Sequence, residues 1–100
     1  MFIIIWKYRV LRENSDAFRF EYASGGVWEK LFSQSEDFIG SYLHRGVEEN
    51  NTYILIDRWT TKAAYEDFLF NNHATYQKLS KLLQHLYETE EKIGSFLLVE

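Results

Sequence analysis

Few groups in this chain could move a proton or hold a reactive small molecule: three histidines, one carboxylate set in an aromatic strand, and a high density of indole and phenol side chains. His44 and His73 carry rings whose ordinary pKa, near ~6.5, suits proton transfer at neutral pH. Asp57 and Arg58 are adjacent in the run Tyr53-Ile-Leu-Ile-Asp-Arg-Trp59. On a strand, neighbours point to opposite faces, so each is expected to bridge elsewhere, to a partner subunit or to a neighbouring strand, for example through Arg45 or Lys7. An apolar pocket for an electron-rich molecule needs aromatic walls and a donor or base that stabilises the molecule's anion. The candidate catalytic groups are Trp59, His73 and His44, and the candidate walls are Trp6, Tyr22, Trp28, Phe32, Phe68 and Tyr76. The competing reading is structural, with the aromatics filling a core and the histidines in solvent. Buried Trp and Tyr need a partner for their polar hydrogen, which favours the pocket reading most for Trp59, Tyr22 and Tyr76. The spacing of His44, His73 and His85 is not that of a ligand set, so no metal is expected.

The elements that must position these groups are organised around residues 53–68. Residues 53–59 are aromatic and β-branched, which suits a strand, and from Thr60 the apolar positions fall at Tyr65, Phe68 and Leu69, which suits a helix. Thr60 and Thr61 lie at the junction, where a hydroxyl can accept from a first-turn amide. Upstream, residues 2–10 alternate as Phe2, Ile4, Trp6, Tyr8, Val10 against Ile3, Ile5, Lys7, Arg9. Caps at residues 14–16 open a helix with Phe18 and Tyr22 on its buried stripe, ending near Ser24, where Gly25 and Gly26 stop it. A short helical piece follows at residues 27–33, a second strand at residues 38–47, and a hairpin connector at residues 48–51. Asn71 and Asn72 interrupt the later helix, which resumes through Tyr76, Leu79, Leu83 and Leu86. Residues 88–92 read as a charged solvated loop before a last strand at residues 93–99.

The order β, α, β, β, α, β is the ferredoxin-like split βαβ pattern of the α+β class, an antiparallel sheet with both helices on one face. Its other face is apolar too, and a homodimer joined through the sheet faces is the simplest cover. The 100 residues form one domain, 1–100, and an aromatic content of 18% is hard for so small a domain to enclose without a partner surface, a pocket, or both. A net charge of −4 without a basic stripe argues against nucleic acid. Cysteine is absent, so there are no disulfides or thiolate metal sites. Residues 2–6 are too short for a signal-peptide core, and no run approaches the ~18 apolar residues of a membrane span. No membrane association is expected, and the default location is cytoplasmic.

Specific residues carry a family resemblance. The segment Ile4-Ile5-Trp6-Lys7-Tyr8-Arg9-Val10, then Phe18, Tyr22, Gly26-Val27-Trp28 and Leu31-Phe32, resembles the antibiotic-biosynthesis-monooxygenase (ABM) family of dimeric α+β barrels. So do Phe38-Ile39-Gly40, Ile56-Asp57-Arg58-Trp59-Thr60 with Tyr65 and Phe68, and Glu91-Lys92-Ile93-Gly94-Ser95-Phe96. The resemblance implies a homodimer whose sheets form a shared barrel, with a pocket between sheet and helices in each subunit. The best-understood members oxidise phenolic or hydroquinone polyketides with molecular oxygen and no cofactor; others degrade haem or modify small signalling metabolites, and many have no assigned reaction. The expectation is a cofactor-independent monooxygenase acting on a small aromatic or quinone-like molecule. The alternative is a non-catalytic dimeric module that binds a small apolar ligand. Haem degradation fits least, because the first strand lacks that branch's Asn, Phe68 stands near the place of its Trp, and His73 only roughly matches its His. Trp59 and Tyr65 or Tyr76 echo the Trp and Tyr of the polyketide-oxidising branch, whose Asn has no clear counterpart here.

Overall fold

Alternation along β1 (Phe2–Arg9) decides which side of the sheet is interior: Phe2, Ile4 and Tyr8 are buried, whereas Ile3 and Ile5 are only half-covered. The computed structural model describes residues 1–100. After β1 come α1 (Ser15–Tyr22), α2 (Val27–Phe32), β2 (Phe38–Arg45), β3 (Thr52–Trp59), α3 (Lys62–Asn71), α4 (His73–Leu83) and β4 (Thr89–Leu97). The four strands form one antiparallel sheet in the order β2-β3-β1-β4. This is the ferredoxin-like α+β fold, with each helical layer element broken in two.

Local chemistry explains the breaks. Gly25 takes a φ of 85° after α1, a left-handed conformation that disfavours other residues, and a Cβ at Gly26 would lie 2.3 Å from the Glu21 carbonyl oxygen. Thr61 caps α3 by accepting from the Ala64 amide at 3.1 Å. Asn72 does not cap α4 with its side chain; its amide donates to the Phe68 carbonyl at 2.9 Å and closes α3 instead.

The core lies between the helices and one sheet face. α1 contributes Phe18 and Tyr22, α2 contributes Trp28, Leu31 and Phe32, and Phe68 and Leu83 come from α3 and α4. Much of it is ring against ring: Phe18 stacks on Tyr22 at 4.3 Å between centroids, and Tyr8 lies 5.2 Å from Phe18, Tyr22 and Tyr87. Trp59 is fully buried among Phe32, Phe38, Tyr65 and Phe68.

The last strand corrects the sequence reading. β4 begins at Thr89, so Glu90, Glu91 and Lys92 are strand residues, not a solvated loop. An edge strand with one open flank accepts charges that a central strand would not. Glu90 pairs in register with Tyr8 and accepts its hydroxyl hydrogen bond at 2.7 Å, and a register shift at Ile5/Trp6 marks a bulge.

The opposite sheet face is open. It presents Ile3, Tyr42, Ile56, Phe96 and Leu98 around a groove of about 540 Å³. No helix is long and apolar enough to cross a membrane.

Candidate functional site

β3 is the central strand that carries the site, and its period of two puts Tyr53, Leu55, Asp57 and Trp59 on the interior face. Three of these are hydrophobic and one is a carboxylate. Asp57 is 5% exposed, and the register places it directly opposite Ser41 of β2, whose hydroxyl donates to Asp57 Oδ1 at 2.6 Å. Behind Ser41 sits Glu29 of α2, which accepts from the amides of Ser41 at 3.2 Å and Gly25 at 2.8 Å. The one salt bridge in the chain, Arg9 to Glu88, lies elsewhere. Asp57 therefore bridges neither Arg45 nor Lys7, the neighbouring-strand partners the sequence offered. Its carboxyl is pushed up to about 6, first by burial and also by Glu29, against the opposing pull of the Ser41 hydrogen bond.

Asp57 opens onto a recess walled by Trp6, Tyr8, Tyr22, Trp28, Phe32, Leu55 and Tyr76, with Ser80, Tyr87 and Glu90. The recess with its mouth encloses about 370 Å³, but its free space is about 20 Å³, room for roughly one water. Burial raises the phenols of Tyr8, Tyr22 and Tyr76 well above their ordinary range, so these rings are neutral hydrogen-bonding groups at any physiological pH. Glu90 raises Tyr8 further. Trp28 Nε1 is buried without an acceptor; it lies beside the Tyr22 hydroxyl without reaching hydrogen-bond geometry. An orphaned donor and a buried carboxylate on one small cavity are suited to a group that gives up a proton and then needs its oxygen held.

Of the residues singled out from sequence, Trp6, Tyr22, Trp28, Phe32 and Tyr76 line this cavity together. Phe68 stands behind Phe32, 5.7 Å away in a T-shaped pair. Trp59 does not reach the cavity: Phe32, Phe38 and Tyr65 stand edge-on to its indole at 63–67°, and its Nε1 has no acceptor. His44 points to the open sheet face, beside Tyr42 and Arg58, and His73 is exposed at the start of α4. Neither histidine meets the aromatic recess. Asp57 and Glu90 are the carboxylates that do, and the burial of Asp57 was legible from parity alone, since it alternates with Leu55 and Trp59. No three His, Asp or Glu side chains converge as a metal site would require.

A family model described as antibiotic biosynthesis monooxygenase matches residues 1–79. Among solved structures, a candidate antibiotic biosynthesis monooxygenase from Deinococcus radiodurans superposes with a TM-score of 0.76 at 14% identity, covering 100% of this chain and 94% of that one. A similar candidate from Bordetella bronchiseptica gives 0.74 at 22% identity, covering 99% and 97%. SnoaB, a cofactor-independent oxygenase from Streptomyces nogalater, gives 0.63 at 23% identity, covering 99% and 93%. No curated protein sequence matches the chain.

Proposed function

The chain belongs to the antibiotic biosynthesis monooxygenase family, and on that premise we propose that it is a cofactor-independent oxygenase of a small hydroxylated aromatic molecule, with Asp57 as the general base. The observation that carries this reading is Asp57 itself, a buried carboxylate with no cation, held by Ser41 and opening onto an aromatic recess. A carboxyl pushed up to about 6 is ionised at neutral pH yet basic enough to take a hydroxyl proton. SnoaB, similar in fold, is described as a cofactor-independent oxygenase.

In this mechanism Asp57 takes the proton of a phenolic hydroxyl, and the Trp28 N–H donates to the oxygen left behind. The resulting anion is electron-rich enough to pass an electron to molecular oxygen. The radical pair then combines at the ring carbon para to the hydroxyl. The proton held by Asp57 returns to the distal peroxide oxygen, the O–O bond breaks, and that oxygen leaves as water with the hydrogen of the ring carbon, whose bond to the remaining oxygen becomes the second carbonyl of a quinone. One oxygen atom ends in the product and one in water, and the substrate supplies all the electrons. The site of action in this reading is the cytoplasm.

The same reading includes a homodimer through the open sheet faces. Tyr42, Phe96 and Leu98 are 39%, 47% and 60% exposed there, and together with Ile3 and Ile56 they line one apolar groove on the open face. A two-fold pairing of identical faces would cover both copies at once.

The second reading, a non-catalytic dimeric module, draws support from the free space of about 20 Å³, well below the ~300 Å³ of ordinary ligand pockets. Oxygen-electrode assays with a panel of phenols and naphthols that carry a hydrogen para to the hydroxyl separate the two. The oxygenase reading expects one oxygen consumed per substrate with no hydrogen peroxide released, and loss of uptake in Asp57→Asn. Uptake no faster than in buffer across the panel would leave the module reading.

A further inference from the structure

We infer that the ligand of this recess carries a positive charge: a hydroxyarene whose ring enters between the aromatic walls while a protonated amine stays at the mouth, near Trp6, Tyr87 and Glu90. The ring end rests on the oxygenase reading above; the charge follows from the cavity wall.

The sign of that wall is one-sided. Asp57 and Glu90 both line it and no basic residue does, the nearest cation being Lys92 against the outer rim at Trp6, while Glu29 adds a further carboxylate behind Ser41. Only Asp57 is taken out of water, whereas Glu90 stands exposed at the mouth; a ligand cation there is attracted by both carboxylates, and an anionic ligand is repelled by both. The apolar wall is also electronically suited to a cation. The faces of Trp and Tyr rings attract an ammonium lying within about 6 Å of their centroids, and the mouth offers Trp6 and Tyr87, both half-buried.

A second, independent observation marks the position. Lys92 Nζ lies 6.0 Å from the centroid of the Trp6 ring, so one of the chain's own ammonium groups already sits against the rim. Lys92 pairs in register with Trp6, and Glu90 pairs with Tyr8 one step along the same face. Glu90 accepts the Tyr8 hydroxyl through Oε2 and stands beside the Tyr87 hydroxyl, so an incoming amine would compete with a neutral phenol for this carboxylate. An incoming amine would meet Glu90 and displace Lys92 from Trp6. At the inner end, Asp57 is the acceptor that a ring hydroxyl would meet, and Trp28 belongs to the same wall.

Three probes that share a phenol ring and a two-carbon arm test this: tyramine, neutral 4-ethylphenol and anionic 3-(4-hydroxyphenyl)propionate. Their binding is read by quenching of tryptophan fluorescence without oxygen, so that turnover plays no part. Tyramine is expected to bind at least about tenfold more tightly than 4-ethylphenol, with the propionate weakest. Glu90→Gln keeps an acceptor for Tyr8, and is expected to weaken tyramine while leaving 4-ethylphenol unchanged. Lys92→Met, which removes the competing ammonium, is expected to tighten tyramine. Equal affinities, a reversed order, or no saturable quenching by tyramine at millimolar concentration overturns the inference. Charge-ordered binding without oxygen uptake would sink the oxygenase reading alone, and uptake without charge order would sink this inference alone.

Discussion

Ser41 and Asp57 face each other across the β2–β3 pairing, and the Ser41 hydroxyl donates to Asp57 Oδ1 at 2.6 Å in a setting without a cation. This hydrogen bond is the one contact that favours the ionised carboxylate against burial and Glu29. Ser41→Ala is therefore expected to push the Asp57 carboxyl higher still. In the oxygenase reading, the acid limb of the kcat/KM profile, expected near pH 6, would move to higher pH. An unmoved limb would show that Asp57 is not the group being titrated. The stability loss should be about 1.5–3 kcal/mol where Asp57 is ionised, and smaller in acid.

Asp57→Asn should separate stability from function. The folded-state pKa of about 6 lies above the ordinary 3.8, so the folded chain holds this proton more tightly than the unfolded chain. Stability contributed by the protonated form is fully present below pH 3.8 and is lost as pH rises through about 6. The neutral amide avoids that loss. Denaturant melts should find the variant more stable by about 1–3 kcal/mol at neutral pH, with the difference vanishing in acid. A variant that is less stable at pH 7 would mean that the ionised carboxylate is compensated by a partner. Glu29, Tyr8, Tyr65 and Tyr76 are the other titratable groups that feel its charge or act on it.

Trp59 and His73 give opposite expectations. Trp59 is fully enclosed by rings, so Trp59→Ala should cost about 3–5 kcal/mol. His73 is exposed at the start of α4, and His73→Ala should change stability by no more than about 0.5 kcal/mol. It should also leave oxygen uptake unchanged. Urea unfolding measures the first two, and a loss of uptake in His73→Ala would return that histidine to the site.

The open sheet face gives a test of assembly. Ile56 lies at its centre on β3, half-buried and lining the apolar groove. Ile56→Lys should convert a dimer into monomers in sedimentation velocity while far-UV circular dichroism stays native. A wild-type chain that sediments as a monomer would remove the dimer proposal.

Period alone carried a great deal. The alternation of Phe2, Ile4, Trp6 and Tyr8 against Ile3, Ile5, Lys7 and Arg9 separated the two faces of β1, the change of spacing at Thr60 located the start of α3, and Gly25-Gly26 ended α1 where a left-handed turn was needed. These are local properties, set by the period of two along a strand and of about 3.6 along a helix, so a single stretch of sequence contains them. The membership of the recess was partly legible for the same reason, since Trp28 and Phe32 share one helix face. What only the tertiary structure decided was which side chains meet. The start of β4 at Thr89 depended on an edge position and on Tyr8 reaching Glu90 from another strand. Trp59 became core because rings from β2, α2 and α3 close around it. His44 and His73 were drawn to attention by an intrinsic pKa, which residue type supplies, but their exclusion from the recess is a matter of face and exposure. Asp57 is the reverse case. Its residue type suggested an ordinary ion pair, and its unusual chemistry arose only when the β2–β3 register gave it a serine hydroxyl in place of a cation, under a roof of aromatic rings.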